Sequence, residues 1–183
     1  IMASATAPGL MLALFAGVII DRVNRKWLLV YLDLFRLVVV ASFLLVLSQY
    51  EFQLWILYPT MILMGLGNSL FWPTAQAFVQ EIVDEKEYFD ANKLLSASYQ
   101  VGSILGASMG GFIVHLYDPL IALQINVATY FISAILISLA PFTFQRSEKS
   151  QSSLFDSLKL GFYFLKNKTN ILTLGMTTIL SDV

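Results

Sequence analysis

Between Gly17 and Lys26, two long apolar runs enclose Asp21, Arg22, Asn24, Arg25 and Lys26. One acid, three bases and an amide can form ion pairs or fix an orientation, but they hold no nucleophile. Farther on, Asp33 and Arg36 stand three residues apart inside another apolar run. That spacing puts both on one helix face, where they can pair. A charge at the centre of a membrane helix costs about 2.5–3.5 kcal/mol on insertion scales. Arg36, about 15 Å from the interface by helical rise, is the costlier of the two. Two uses remain open. One is a mutually neutralised pair bonded to a neighbouring helix, and the other is a cavity-facing site for a solute or a proton. Asn68 and Gln100 are weaker candidates for the same site, because amides in spans often bond across helices. Trp72, Tyr99 and Tyr130 either line a cavity or serve as packing and interfacial anchors.

Other chemistries are poorly served. There is no cysteine and a single histidine, His115, so disulfides, thiolate sites and multi-histidine metal sites are excluded. A membrane enzyme needs a nucleophile, an acid/base pair or a metal near one interface. The sequence offers only scattered carboxylates in Glu81–Asp90, and it points to no cofactor. A formal net charge of −1 gives no electrostatic reason for a nucleic-acid partner.

The elements that must position these residues are membrane helices. The chain is 57% apolar and only 13% charged, against about 25% charged in a typical globular domain. Five segments offer about 20 residues or more, the length a spanning helix needs: Ile1–Ile20, Trp27–Ser48, Leu54–Ala77, Leu94–Leu116 and Pro119–Phe144. In lipid the backbone must bond to itself, so the expected class is all-α integral membrane. The opening run has no basic flank and is too long for a signal peptide. Ile171–Val183 reads as the truncated start of a further span, and the chain looks cut from something longer at both ends.

Every Lys and Arg except Arg36 falls in one of three connections, Asp21–Lys26, Glu81–Lys93 or Gln145–Asn170. The positive-inside rule puts those in the cytoplasm, and Gln49–Gln53 and Tyr117–Asp118 outside. Ser147–Ser153 reads as a polar linker. Ser153 and Asp156 resemble a helix start. Phe155, Leu158, Phe162 and Leu165 then recur at helical spacing, as a surface helix or as an extension of the next span.

Ser98, Gly102, Gly106 and Gly110 recur every four residues, with Gly111 adjacent. Small residues in register on one face let a neighbouring backbone approach closely.

The loop and the glycine face together resemble the major facilitator superfamily. Gly17, Asp21, Arg22, Arg25 and Lys26 match its signature between the second and third helices, with Asn24 in place of the second glycine. Asn tolerates a left-handed backbone better than other non-glycine residues, so the expectation is that the tight turn survives. Gly102, Gly106, Gly110 and Gly111 match the antiporter motif of the family's fifth helix, with Ala107 where a proline usually stands. The fourth-helix motif is half present: Gly65 and Gly67 match, but Met61 replaces its arginine, so that arginine's proton-coupling role does not carry over. Asp33-Leu34-Phe35-Arg36, Phe71–Ala77 and Asp90-Ala91-Asn92 look like the macrolide and multidrug efflux branch.

The resemblance implies a twelve-helix transporter represented from helix 2 to early helix 7, with a partial N-terminal half-bundle over 1–144 and a cytoplasmic linker over 145–170. It implies efflux of a drug-like or macrolide-type small molecule by alternating access, exchange for protons, and a bacterial cell membrane. The bilayer, the C-terminal half and the solute would be the partners. An importer, or a carrier of lipids or metabolites, is the alternative. Asp21 is the residue a purely orienting charge cluster explains least, because a carboxylate beside a helix C-terminus opposes the dipole and needs a partner. That partner is Arg22, Arg25 or another helix's N-terminus; the resemblance implies a contact with the second half that changes between states.

Overall fold

Asn24 decides where the first long helix begins. In the computed structural model, which describes residues 16, 17, 19–49 and 53–140, the Asn24 side-chain oxygen accepts the Trp27 N–H at 3.2 Å. Its carbonyl accepts the Leu28 N–H at 2.9 Å. Helix α1 follows as Arg25–Gln49. The expectation of a left-handed Asn24 is corrected: no described non-glycine residue has a positive φ. Asn is also among the best N-caps, and capping is the role it takes here. Arg25 and Lys26, read from sequence as turn residues, are the first two residues of the helix.

A 3-10 turn, Leu54–Ile56, leads into α2, Leu57–Ile82. Helix α3 is Tyr88–Leu116 and α4 is Pro119–Leu139. Asp118 starts α4: its carboxylate accepts the Leu120 N–H at 2.7 Å, and Pro119 supplies the preset φ of a first helical residue. The charged connection read over 81–93 shrinks to Val83–Glu87. Glu81 closes one helix, and Asp90 and Lys93 open the next. Membrane thickness limits the apolar part of a helix, not the polar turns beyond it.

Helix α1 is the hub. Its buried residues include Leu29, Asp33, Arg36, Val40 and Phe43, the alternating three- and four-residue spacing of one helix face. It packs against both α2 and α4. Leu29 forms a core cluster with Ala75 and Phe78, flanked by Phe71 and Ile137. The all-helical class is what the described residues show.

Among them, α1, the stretch Leu54–Ile82 and α4 are long and apolar enough to cross a membrane. Helix α3 is long enough, but Ser96, Ser98, Gln100, Ser103, Ser108 and four glycines dilute its apolar character, and it is not among the three. It has no buried residue. The expected span over 1–20 falls largely outside the described residues. So do the linker 145–170, the segment 171–183, and residues 141–144 of the expected fifth span.

Candidate functional site

Asp33 and Arg36 lie on the buried stripe of α1, so the fold must satisfy two charges in its interior. Asp33 is 1% exposed and Arg36 6%. One Asp33 oxygen accepts an Arg36 guanidinium N–H, and the other accepts the Ser133 hydroxyl of α4 at 2.6 Å. A second guanidinium N–H donates to Asn68 Oδ1 of α2 at 3.0 Å. The guanidinium carbon lies 4.0 Å from the Phe71 ring centroid and 4.9 Å from that of Tyr130. Such stacking suits a weakly hydrated, delocalised cation. Arg36 Nε is buried without a partner among the described residues. Three helices thus meet on one ion pair.

The seat depends on Gly67. A Cβ there would lie 3.0 Å from Arg36 Cγ, 3.4 Å from its Cδ and 3.4 Å from Phe35 Cδ1. The Arg36 stem cannot yield cheaply, because its head is held on four sides. Gly67→Ala is therefore expected to destabilise the protein by about 1–3 kcal/mol of overpacking, partly offset by about 1 kcal/mol of helix propensity. A thermal unfolding midpoint at or above wild type would show that the seat is not tight.

The second polar centre is built on Arg25, at the N-terminus of α1. A cation there opposes the helix dipole, so it needs carboxylates. Arg25 Nη2 donates to Asp21 at 3.0 Å, and its Nη1 donates to Glu81 Oε1 at 2.5 Å and to the Ala77 carbonyl at 3.4 Å. Asp21 remains mostly exposed, with 69% of its side chain accessible, whereas Arg25 and Glu81 are largely covered. Arg25 Nε and Glu81 Oε2 are buried without partners among the described residues. Lys26 Nζ donates to the Ala140 carbonyl at 2.7 Å, placing a cation on the negative end of α4. Gly17 lies in the helical turn before the loop, and its carbonyl accepts the Asp21 N–H at 3.0 Å. The Arg22 N–H bonds the Ile19 carbonyl at 3.1 Å.

The structure therefore joins Asp33, Arg36 and Asn68 in one network, and Asp21 with Arg25 in another. Gln100 is exposed on α3 and belongs to neither. Around Gly102, Gly106, Gly110 and Gly111 a Cβ would meet nothing within 4 Å, so the close helix contact expected there is not made among the described residues. Trp72 and Tyr99 pack against each other with their rings tilted by 44° and ring centroids 4.5 Å apart. Sequence reasoning missed Glu81 and Ser133 as site residues. Glu81 had a usable signal: it is an acid in the last turn of its helix, where the dipole disfavours it, the same reasoning that singled out Asp21. Ser133 had none, being one hydroxyl in an apolar run 100 residues from its partner.

Residues 1–180 match the family model described as "Transmembrane secretion effector". The chain is 25% identical over 182 residues to an uncharacterized MFS-type transporter, YfiS, of Bacillus subtilis (strain 168), covering 97% of this chain and 42% of that protein. It is 26% identical over 167 residues to the putative bacilysin exporter BacE of Bacillus amyloliquefaciens, covering 90% of this chain and 41% of that one. A putative multidrug resistance protein, MdtD, of Yersinia pseudotuberculosis serotype I (strain IP32953) is 25% identical over 99 residues, 54% of this chain and 20% of the relative. The chain spans about two fifths of the length of the first of these relatives. No solved structure matches it significantly.

Proposed function

The chain belongs to the transmembrane secretion effector family of major facilitator transporters, and from that premise we propose that it forms part of the N-terminal half of a bacterial exporter. The exporter moves a drug-like or macrolide-type small molecule out of the cell by alternating access, in exchange for protons. Residues 21–26, the loop after α2 and the linker 145–170 face the cytoplasm, and the protein lies in the bacterial cell membrane. The name of one relative, a putative bacilysin exporter, favours outward transport.

The observation that carries the proposal is the Arg25 clasp. It ties the loop between two helices to the end of a third, and its Asp21 side is open to solvent, where a partner can exchange. A gate needs such differential contacts to bias two states. The Asp33–Arg36 network is the proposal's site for proton or solute coupling, since solute sites in transporters of this kind lie near the midplane.

The test is solute uptake into everted vesicles bearing the complete transporter, driven by an imposed proton gradient and scored over a panel of macrolides and dyes. Gradient-dependent uptake is expected. Asp21→Asn should slow it about tenfold, the effect of biasing the two states by about 1.4 kcal/mol, with membrane expression unchanged. Wild-type rates in that variant would remove Asp21 from the gate. Solute movement only in the opposite sense would establish an importer.

A further inference from the structure

Arg25 and Arg36 are eleven residues apart on α1, about three full turns at 3.6 residues per turn, so both sit on the face turned toward α2. Helix α2 meets them in reverse order. Arg36 bonds Asn68 and touches the Gly67 position, while Arg25 bonds the Ala77 carbonyl and Glu81. The two helices are thus clamped by an arginine at two heights.

Between the clamps, α2 contains Pro73. Proline has no N–H to give the carbonyl four residues earlier, here Ser69, and its ring crowds that carbonyl. Sharp bends in helices occur mostly at such residues. Two hydroxyls nearby bond back to the helix: Ser69 Oγ donates to the Leu66 carbonyl at 2.9 Å and Thr74 Oγ1 to the Leu70 carbonyl at 2.5 Å. That back-bonding itself tends to bend helices. Beyond Pro73, Ala75 and Phe78 of α2 pack in a cluster with Leu29 of α1, and Arg25 bonds the Ala77 carbonyl and Glu81.

We infer that α2 flexes at Pro73 between the two arginine clamps, so that Asn68 and Pro73 are positioning residues through which the buried Asp33–Arg36 network sets whether Arg25 holds Glu81. The inference deepens the transport proposal and rests on it. When Arg36 keeps both Asp33 and Asn68, the middle of α2 is fixed and the end bearing Glu81 stays in reach of Arg25. When Arg36 lets Asn68 go, α2 swings at Pro73 and Glu81 moves off. Coupling of this kind needs a contiguous element with two arrangements, and α2 supplies one.

Spin labels test this without a known solute. Val23→Cys and Glu85→Cys flank the Arg25–Glu81 clamp, and the labelled distance is measured in the complete transporter, with any cysteine outside this chain replaced. Wild type is expected to show two distance populations. Asn68→Ala should change their ratio about fivefold or more. Pro73→Ala should make the ratio insensitive to Asn68→Ala, whereas Pro73→Gly, which keeps the flexibility, should preserve the response. An unchanged ratio in Asn68→Ala overturns the inference, even if the alanine at Pro73 fails to fold. So does a response of Asn68→Ala that persists with Pro73→Ala. Two populations that respond as expected, in a protein showing no gradient-driven movement of any solute, would refute the transport proposal and leave the hinge standing.

Discussion

Asp33→Ala should remove most of the folded transporter from the membrane, while the double replacement Asp33→Leu with Arg36→Met should restore it. Breaking a buried pair by deleting one partner typically costs about 3–5 kcal/mol, because the remaining charge is left uncompensated. Total stabilities are only about 5–15 kcal/mol, so that loss is a large share of the whole. Arg36 is the charge left behind. It is 6% exposed, and Asn68 offers it only a neutral oxygen. Replacing both charges with apolar groups of similar volume is often neutral or stabilising. The measurement is the monodisperse, folded fraction of each variant after extraction in mild detergent. Wild-type behaviour of Asp33→Ala would mean that the pair ties nothing together. The double variant also separates the two uses left open by the sequence. Recovered folding with gradient-driven uptake lost assigns the pair to coupling, and recovery of both leaves it a structural tie.

The Asp33–Arg36 pair was legible in the sequence because both residues lie on one helix, where a spacing of three settles their proximity. Asn68 and Ser133 were not legible as its partners, since they lie 32 and 100 residues from theirs and only the packing of α2 and α4 on α1 brings them in. The helical class was legible from the long charge-free runs. Helix ends were not, because charge density marks the edge of the apolar stretch and not the end of the helix. Glu81 and Asp90 are helical because turns beyond the apolar stretch keep their backbone bonds in water as well as in lipid. Asn24 shows the same difficulty at one residue. Its side chain suits both a left-handed turn and an N-cap, and the choice fell to where the helix begins.

Both polar centres share a design that the charges alone did not reveal. In each, an arginine of α1 divides its donors between a carboxylate on its own side of the chain and an acceptor on α2. The inner one is stacked between two aromatic rings and buried. The outer one is open to solvent on its Asp21 side. That difference separates an ion pair on which the fold depends from one whose carboxylate partners can exchange in water, and the outer pair is the one expected to act on rate more than on folding.

Charge reversal at the outer clasp should accordingly change transport more than it changes folded yield. Glu81 sits in the last turn of α2, at the negative end of that helix, and Arg25 is the cation that offsets it. Arg25→Glu would set two carboxylates against each other at that point and add a third to the neighbourhood of Asp21. Like charges at such distances are destabilising. The single variant should reduce gradient-driven uptake by about a hundredfold, equivalent to about 2.8 kcal/mol, with the folded fraction less affected because the site is only partly buried. Arg25→Glu with Glu81→Arg rebuilds the bond in the opposite sense and should recover part of the rate. Recovery must be incomplete, because Asp21 then faces a carboxylate at position 25 across the same separation. Removing that repulsion by Asp21→Asn in the swapped background should raise the rate further, although the same substitution alone lowers it. That reversal of sign is what a clasp shared by three residues requires. If the swap transports no better than Arg25→Glu alone, the Arg25–Glu81 contact is not what sets the state of the gate.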